Sequence, residues 1–257
     1  MDLATENSII QGMNLKCGSQ TSRFVDFLSE NLLGVDQPED NCFVQPNLRI
    51  STRENSAAAR HASRRRFSPS HSYGRHFCPP LPTARRAAVM VMFERRACGW
   101  SIPLTVRAHH LPDHPGQVCL PGGRLEGGEN VAQAAEREFC EELGFETFPT
   151  RTIGQLQSIY VYNSDFYLTP CIAAIDHQLH YKPDANEVES IVHLPIEHLL
   201  DFERHVMRSH SRGAVSWTAL GIEFEDIHIW GATAIVLGEV AEILADFCGT
   251  RSSRYAS

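Results

Sequence analysis

The apolar positions of this chain change period along its length, and the changes mark out its elements. From residue 85 an apolar run over residues 87–93 reads as a short buried strand, and residues 100–107 follow it across a charged turn as a second. Pro103 inside the second run predicts an edge or a bulge, because proline brings no amide hydrogen to a ladder. Farther on, residues 154–162 and 166–175 read as paired strands, 190–194 as another short one, and 195–201 as a helical turn. Residues 214–219 and 222–230 read as a hairpin. Two segments carry helical spacing instead. Val131, Ala135, Phe139 and Leu143 form one stripe; Ile235, Val236, Val240, Ile243, Leu244 and Phe247 form another over residues 232–247. Strands interleaved with helices give the α/β class.

Upstream the pattern weakens. Residues 22–33 place Phe24, Phe27, Leu28 and Leu32 at helical spacing, which predicts a short amphipathic helix. Residues 34–84 are rich in Pro, Ser, Arg and His with few periodic apolar positions, so an irregular connector is expected there, stiffened at Pro79, Pro80 and Pro82. The resulting division is a largely irregular extension at 1–84, one domain at 85–250 and a tail at 251–257. On this reading a chain shortened to begin near Pro82 still folds, since every apolar strand and major helix lies downstream.

Composition narrows the class further. With 257 residues and 42% apolar content the chain can bury a full core, and no run approaches the 18 apolar residues a membrane helix needs. The first residues include Asp2 and Glu6 rather than a basic start and an apolar segment, so no secretory signal is expected. Eight cysteines without a Cys-x-x-Cys pair favour separate thiols in a reducing cytoplasm. Residues 87–257 hold 12 basic and 23 acidic side chains, a net −11 that argues against nucleic acid as a partner. Arg64, Arg65 and Arg66 are the basic exception and read as a solvated stretch.

The densest chemistry lies in residues 123–145. Asn130 and Gln133 form a capping-box pair, residues 131–143 contain neither Gly nor Pro, and Gly144 stands where a helix end favours a left-handed residue. On that helix Glu138, Glu141 and Glu142 share an arc, and Glu142 falls inside the apolar side. Carboxylates so crowded and so desolvated are costly unless a cation neutralises them, and oxygen ligands suit Mg²⁺ or Mn²⁺ better than zinc. A solvated acidic helix face is the plainer alternative, with Arg137 as an ordinary partner of Glu141 and Glu129 as a favourable charge near the helix start.

The run is Gly123, five residues, Glu129, seven residues, then Arg137-Glu138-Phe139-Cys140-Glu141-Glu142-Leu143-Gly144-Phe145. It resembles the Nudix box of the Nudix hydrolases, with every specified position filled. The resemblance implies an α/β/α sandwich with a mixed sheet, and divalent-metal hydrolysis of a nucleoside diphosphate derivative. It also implies metal ligation by Glu138, Glu141, Glu142 and the Gly123 carbonyl, carboxylates oriented by Arg137, and a supporting Glu129. Catalytic duty falls to Glu138, Glu141 and Arg137 on this reading, and Glu187, outside the box, is an additional candidate.

Immediately upstream, residues 104–123 read LTVRAHHLPDHPGQVCLPGG. This is similar to the signature of the coenzyme A diphosphatases within that superfamily, and residues 184–188 and 229–234 also resemble segments of that group. Pro112 stands where the pattern has arginine, and Leu120 where it has phenylalanine. The resemblance implies coenzyme A or acyl-CoA as substrate, contacted by Arg107, His114, Gly116, Gln117 and Gly122. ADP-ribose, a dinucleotide, or a nucleotide-binding module without turnover are the other readings. Trp230 reads first as a core aromatic, and His109, His110 and His114 lack the Cys or Asp partners of a zinc site.

Overall fold

The structure, a computed structural model, describes residues 18–32, 52–72, 75–112 and 114–248. Its centre is β1 (Arg85–Arg96), which runs parallel to β7 (Phe166–Ile175) and antiparallel to both β2 (Gly99–Arg107) and β4 (Gly122–Arg124). With β3 (Val118–Cys119), β5 (Thr152–Gln155), β6 (Ile159–Val161) and β8 (Val188–Pro195) these make one mixed eight-stranded sheet. The unbroken apolar run in β1 has a simple cause: both faces of the strand are covered. Ala88, Met90 and Met92 pack beneath α3 (Val131–Leu143), while Val91 and Phe93 join the cluster under α5 (Gly231–Cys248); between them in the chain, α4 (Ile196–Leu199) is the turn expected at 195–201. Helices thus lie on both faces of a mixed sheet, as the α/β/α expectation requires.

Helix α3 has the limits its caps predict. Asn130 accepts from the Gln133 amide, Gln133 accepts from the Asn130 amide, and Gly144, at φ 78°, closes the end by donating to the Cys140 carbonyl. Its apolar stripe, including Phe139 and Leu143, is buried against β1 and β7.

Four local expectations change. Pro103 is not on an edge: it lies inside β2 opposite His193 of β8, in the gap between residues paired to β1, which end at Ser101, and those paired to β3, which begin at Thr105. The single strand expected over 154–162 is two short ones, β5 and β6, both laid along β7. The hairpin expected from residue 214 starts earlier, as β9 (His205–Arg212), β10 (Val215–Phe224) and β11 (Ile227–Ile229) form a second sheet. Strand β9 escapes the pattern because its apolar residues, Val206 and Met207, are exposed and its remainder is polar.

The fourth change is the largest. Where 34–84 reads as an irregular connector, residues 52–67 form a helix, α2 (Thr52–Phe67), which lies against α5. Its contact face uses Ser63, Arg64 and Phe67, of which only Phe67 carries a hydrophobic signal. Arg64 is not solvated: it is 3% exposed, its Nε donates to Glu239 at 2.6 Å, and its other nitrogens reach the Ser158 and Gln157 carbonyls. The expected N-terminal helix, α1 (Gly18–Asn31), also joins the core. Phe24 packs within 5.3–5.4 Å, ring to ring, of Phe93, Trp100 and Phe247. Residue 85 is therefore no boundary of packing, since Phe24, Leu28 and Phe67 share one cluster with β1.

Candidate active site

The loop that follows β3 turns sharply into β4, and that turn brings the chain to the helix. Gly122, at φ 156°, pairs with Val89, and any side chain there would run into the Ala88 and Val89 backbone. At Gly123 a Cβ would overlap the Glu138 carboxylate, so the glycine lets the β4 backbone touch the acidic face of α3.

Arg137 organises that face. It donates to Glu129 at 2.9 Å, Glu138 at 3.0 Å, Glu141 at 2.8 Å and the Arg124 carbonyl at 3.0 Å. The Arg137 guanidinium holds Glu129 below the ordinary carboxylate range. Glu138 goes the other way, because burial pushes it up more than Arg137 draws it down. Glu141 points outward, its side chain 60% exposed.

Glu142 is the buried member, as its angular place on the helix predicts. It is 4% exposed and receives the Gly122 amide and the Thr105 hydroxyl, each at 3.4 Å. Burial pushes its carboxyl up to about 8 against the Gly122 amide, and the neighbouring charges of Glu138 and Glu187 push the same way. Glu187 comes from the segment between β7 and β8, so four carboxylates from two parts of the chain meet electrostatically. Among the described residues no three acidic, His or Cys side chains already stand gathered as a ligand cluster. Arg137 bonds Glu129, Glu138 and Glu141, while Glu142 turns inward. The donor set nonetheless fits a hard divalent cation: it is all oxygen, excess in negative charge, and part-buried.

The substrate-side candidates separate into two groups. Arg107, at the end of β2, lies close enough to Glu142 and Cys119 for its charge to act on both, while burial and Glu142 push the Cys119 thiol up to about 11. Its backbone closes the following loop, the Arg107 amide donating to Gln117 and the Gly116 amide to Arg107, each at 3.0 Å. Gly116 and Gln117 are half-buried there, Gly116 against the His109 ring, whereas His114 and Pro112 are exposed. Leu120 is a core residue, 3% exposed, so its departure from phenylalanine concerns packing. Trp230 stacks on His210 at 4.1 Å and is only half-buried. Thr105 and the Arg124 carbonyl were not singled out from sequence. Thr105 has a signal in its place beside Arg107; a backbone carbonyl has none.

Fold and site together define an α/β/α sandwich whose sheet presses a glycine turn against a helix of carboxylates. The chain belongs to the Nudix family: the profile of the NUDIX domain matches residues 83–214. An uncharacterised Nudix hydrolase, NudL, of Enterobacter sp. (strain 638) is 31% identical over 164 residues, 61% of this chain and 81% of that protein. NudL of Citrobacter koseri is 32% identical over the same shares. Nudix hydrolase 3 of Caenorhabditis elegans is 34% identical over 103 residues, where the match spans 39% of this chain and 43% of the relative. Among solved structures, the Nudix hydrolase RenU of M. smegmatis is similar at a TM-score of 0.44 and 18% identity, covering 63% of this chain and 86% of that one. No helix among the described residues is long and apolar enough to cross a membrane.

Proposed function

We propose that this Nudix hydrolase cleaves the diphosphate bond of coenzyme A or an acyl-CoA, releasing 3′,5′-ADP and 4′-phosphopantetheine or its acyl form. The observation that carries the reading is the continuity of residues 104–123. One short piece of chain holds Arg107, closes the His114–Gln117 loop on it, and ends with Gly122 and Gly123 against Glu142 and Glu138. Recognition of the nucleotide and placement of its diphosphate then fall to one continuous stretch of sequence, which converts binding into orientation.

In this reading Glu138, Glu142 and the Gly123 carbonyl hold Mg²⁺ or Mn²⁺, with Glu141 beside them and Glu187 facing the same space. The bound cation supplies charge neutralisation on the phosphate oxygens and a more acidic water. Arg137 keeps Glu138 and Glu141 aligned, and Glu129 holds Arg137. Glu138 or Glu141 takes the proton of the attacking water. Arg107 meets the charge of the diphosphate, and Gln117, His114, Gly116 and Gly122 shape the loop against the nucleotide.

The test is kcat/KM measured with Mg²⁺ or Mn²⁺ on coenzyme A, an acyl-CoA, ADP-ribose and dinucleotides. Coenzyme A or its acyl form should lead, and Gln117→Ala should reduce that preference more than it reduces cation affinity. Efficient turnover of ADP-ribose without turnover of coenzyme A would overturn the substrate assignment alone, and would direct attention to Pro112. No turnover of any diphosphate would favour a binding module.

A further inference from the structure

Glu94 lies at the far end of β1 from the glycine turn and is fully buried, yet its carboxylate is not idle. It accepts the Leu179 amide at 2.7 Å and the Tyr181 hydroxyl at 2.8 Å, and it pairs with Arg96 at 3.2 Å and His193 at 3.3 Å. Burial by itself would raise this carboxyl, but His193, the Leu179 amide and Tyr181 together hold it below the ordinary range. Charge-assisted bonds of this kind in a dry setting are strong and directional.

The partners Leu179 and Tyr181 belong to the segment that leaves β7 and returns as β8. Immediately after Tyr181, the Lys182 amide donates to the Leu143 carbonyl at 2.9 Å, and the Asp184 amide to the Glu142 carbonyl at 3.0 Å. These bonds satisfy carbonyls at the end of α3 that the helix itself leaves open. The Glu187 amide then donates to Asp184 at 3.0 Å, and the Glu187 carbonyl accepts from Ala108, next to Arg107, at 2.9 Å. Tyr181 and Lys182 are neighbours in the chain, so a shift at the Glu94 anchor cannot stay there.

We propose that Glu94 is a positioning residue for the active site: through the strap of residues 176–187 it sets where Glu187 stands against Glu138 and Glu142. The inference rests on reading the box as a cation site, and it extends the site to a carboxylate that touches none of the reacting atoms. Tyr181 is the link, and His193 and Arg96 fix the anchor.

The test uses the full chain and Mn²⁺ alone, followed by electron paramagnetic resonance. Glu94→Gln and the milder Tyr181→Phe should each weaken Mn²⁺ binding about tenfold, the low end for loss of a group that orients a ligand. In a Glu187→Gln background the same changes should cost less than about twofold, as expected of coupled rather than independent positions. Hydrogen exchange at the Lys182 and Asp184 amides should quicken in both variants. With substrate, kcat should fall while KM holds. Equal losses in both backgrounds, or unchanged Mn²⁺ affinity beside quickened exchange, would overturn the proposal while leaving the cation site intact. Wild-type protein that binds no Mn²⁺ would instead overturn the cation-site reading, and this one with it.

Discussion

Replacing Arg64 by methionine removes the nearer of two positive charges that face the buried Glu239. Methionine keeps most of the aliphatic stem, so the loss is chiefly of the guanidinium and its bonds. Both partners are buried, with side chains 4% and 5% exposed, and the Arg64 nitrogens also satisfy the Ser158 and Gln157 carbonyls. Breaking a buried pair by removing one partner costs about 3–5 kcal/mol, because the other charge stays behind without compensation. Arg60 stands 3.8 Å from Glu239 and is partly exposed, so it recovers some of that loss. The low end, about 3 kcal/mol, is therefore expected, and for a domain of this size it lowers Tm by about 6–12 °C. Urea unfolding followed by tryptophan fluorescence measures it. The double variant Arg64→Met/Glu239→Leu should recover most of the loss, since the stranded charge is gone. A loss under about 1 kcal/mol for Arg64→Met, or a double variant worse than either single, would refute the claim that α2 is locked to α5 through this pair.

Three further outcomes are expected. Glu138→Gln and Glu142→Gln should each lower kcat at least ~100-fold with folding retained, the scale of a lost positioned charge; near-normal kcat in both at saturating Mg²⁺ would remove the metal assignment. Without divalent cation the folded protein keeps on Glu142 a proton that the unfolded chain releases above its ordinary value of 4.5, so stability should fall as pH rises from 4.5 to about 8 and level off beyond. Urea midpoints in EDTA should show that decline in the wild type and a flatter profile in Glu142→Gln, and matching slopes would contradict the assignment. Finally, a chain shortened to begin near Pro82 loses Phe24, Leu28 and Phe67 from the core, and should be insoluble or melt far below the full chain; a soluble, active fragment with an unchanged Tm would show those helices to be dispensable.

The sequence by itself determined what depends on near neighbours. The limits of α3 follow from Asn130, Gln133 and Gly144, because capping bonds join residues three or four apart. The same spacing brings Glu141 to Arg137 and Glu138, four and three residues before it, and the helical angle places Glu142 on the buried side. Strand β1 was legible for a related reason: a strand covered on both faces needs no pattern beyond an apolar run.

Only the tertiary structure decided what depends on distant partners. Helix α2 buries an arginine whose acceptors lie 93, 94 and 175 residues away, so its composition reads as solvated until Glu239 and the two carbonyls are in place. Strand β9 shows the opposite case, a polar segment made into a strand by the ladder that β10 offers. Within the site, the burial of Glu142 was visible in its helical angle, but the Thr105 hydroxyl and Gly122 amide that donate to it were not. The strap that carries Glu187 to the site is held by Glu94, a residue on another strand whose single carboxylate gives no periodic signal. Local spacing specifies which groups share an element; which groups meet across elements is set by the packing of the sheet, because a buried charge acquires its meaning from the partner folded against it.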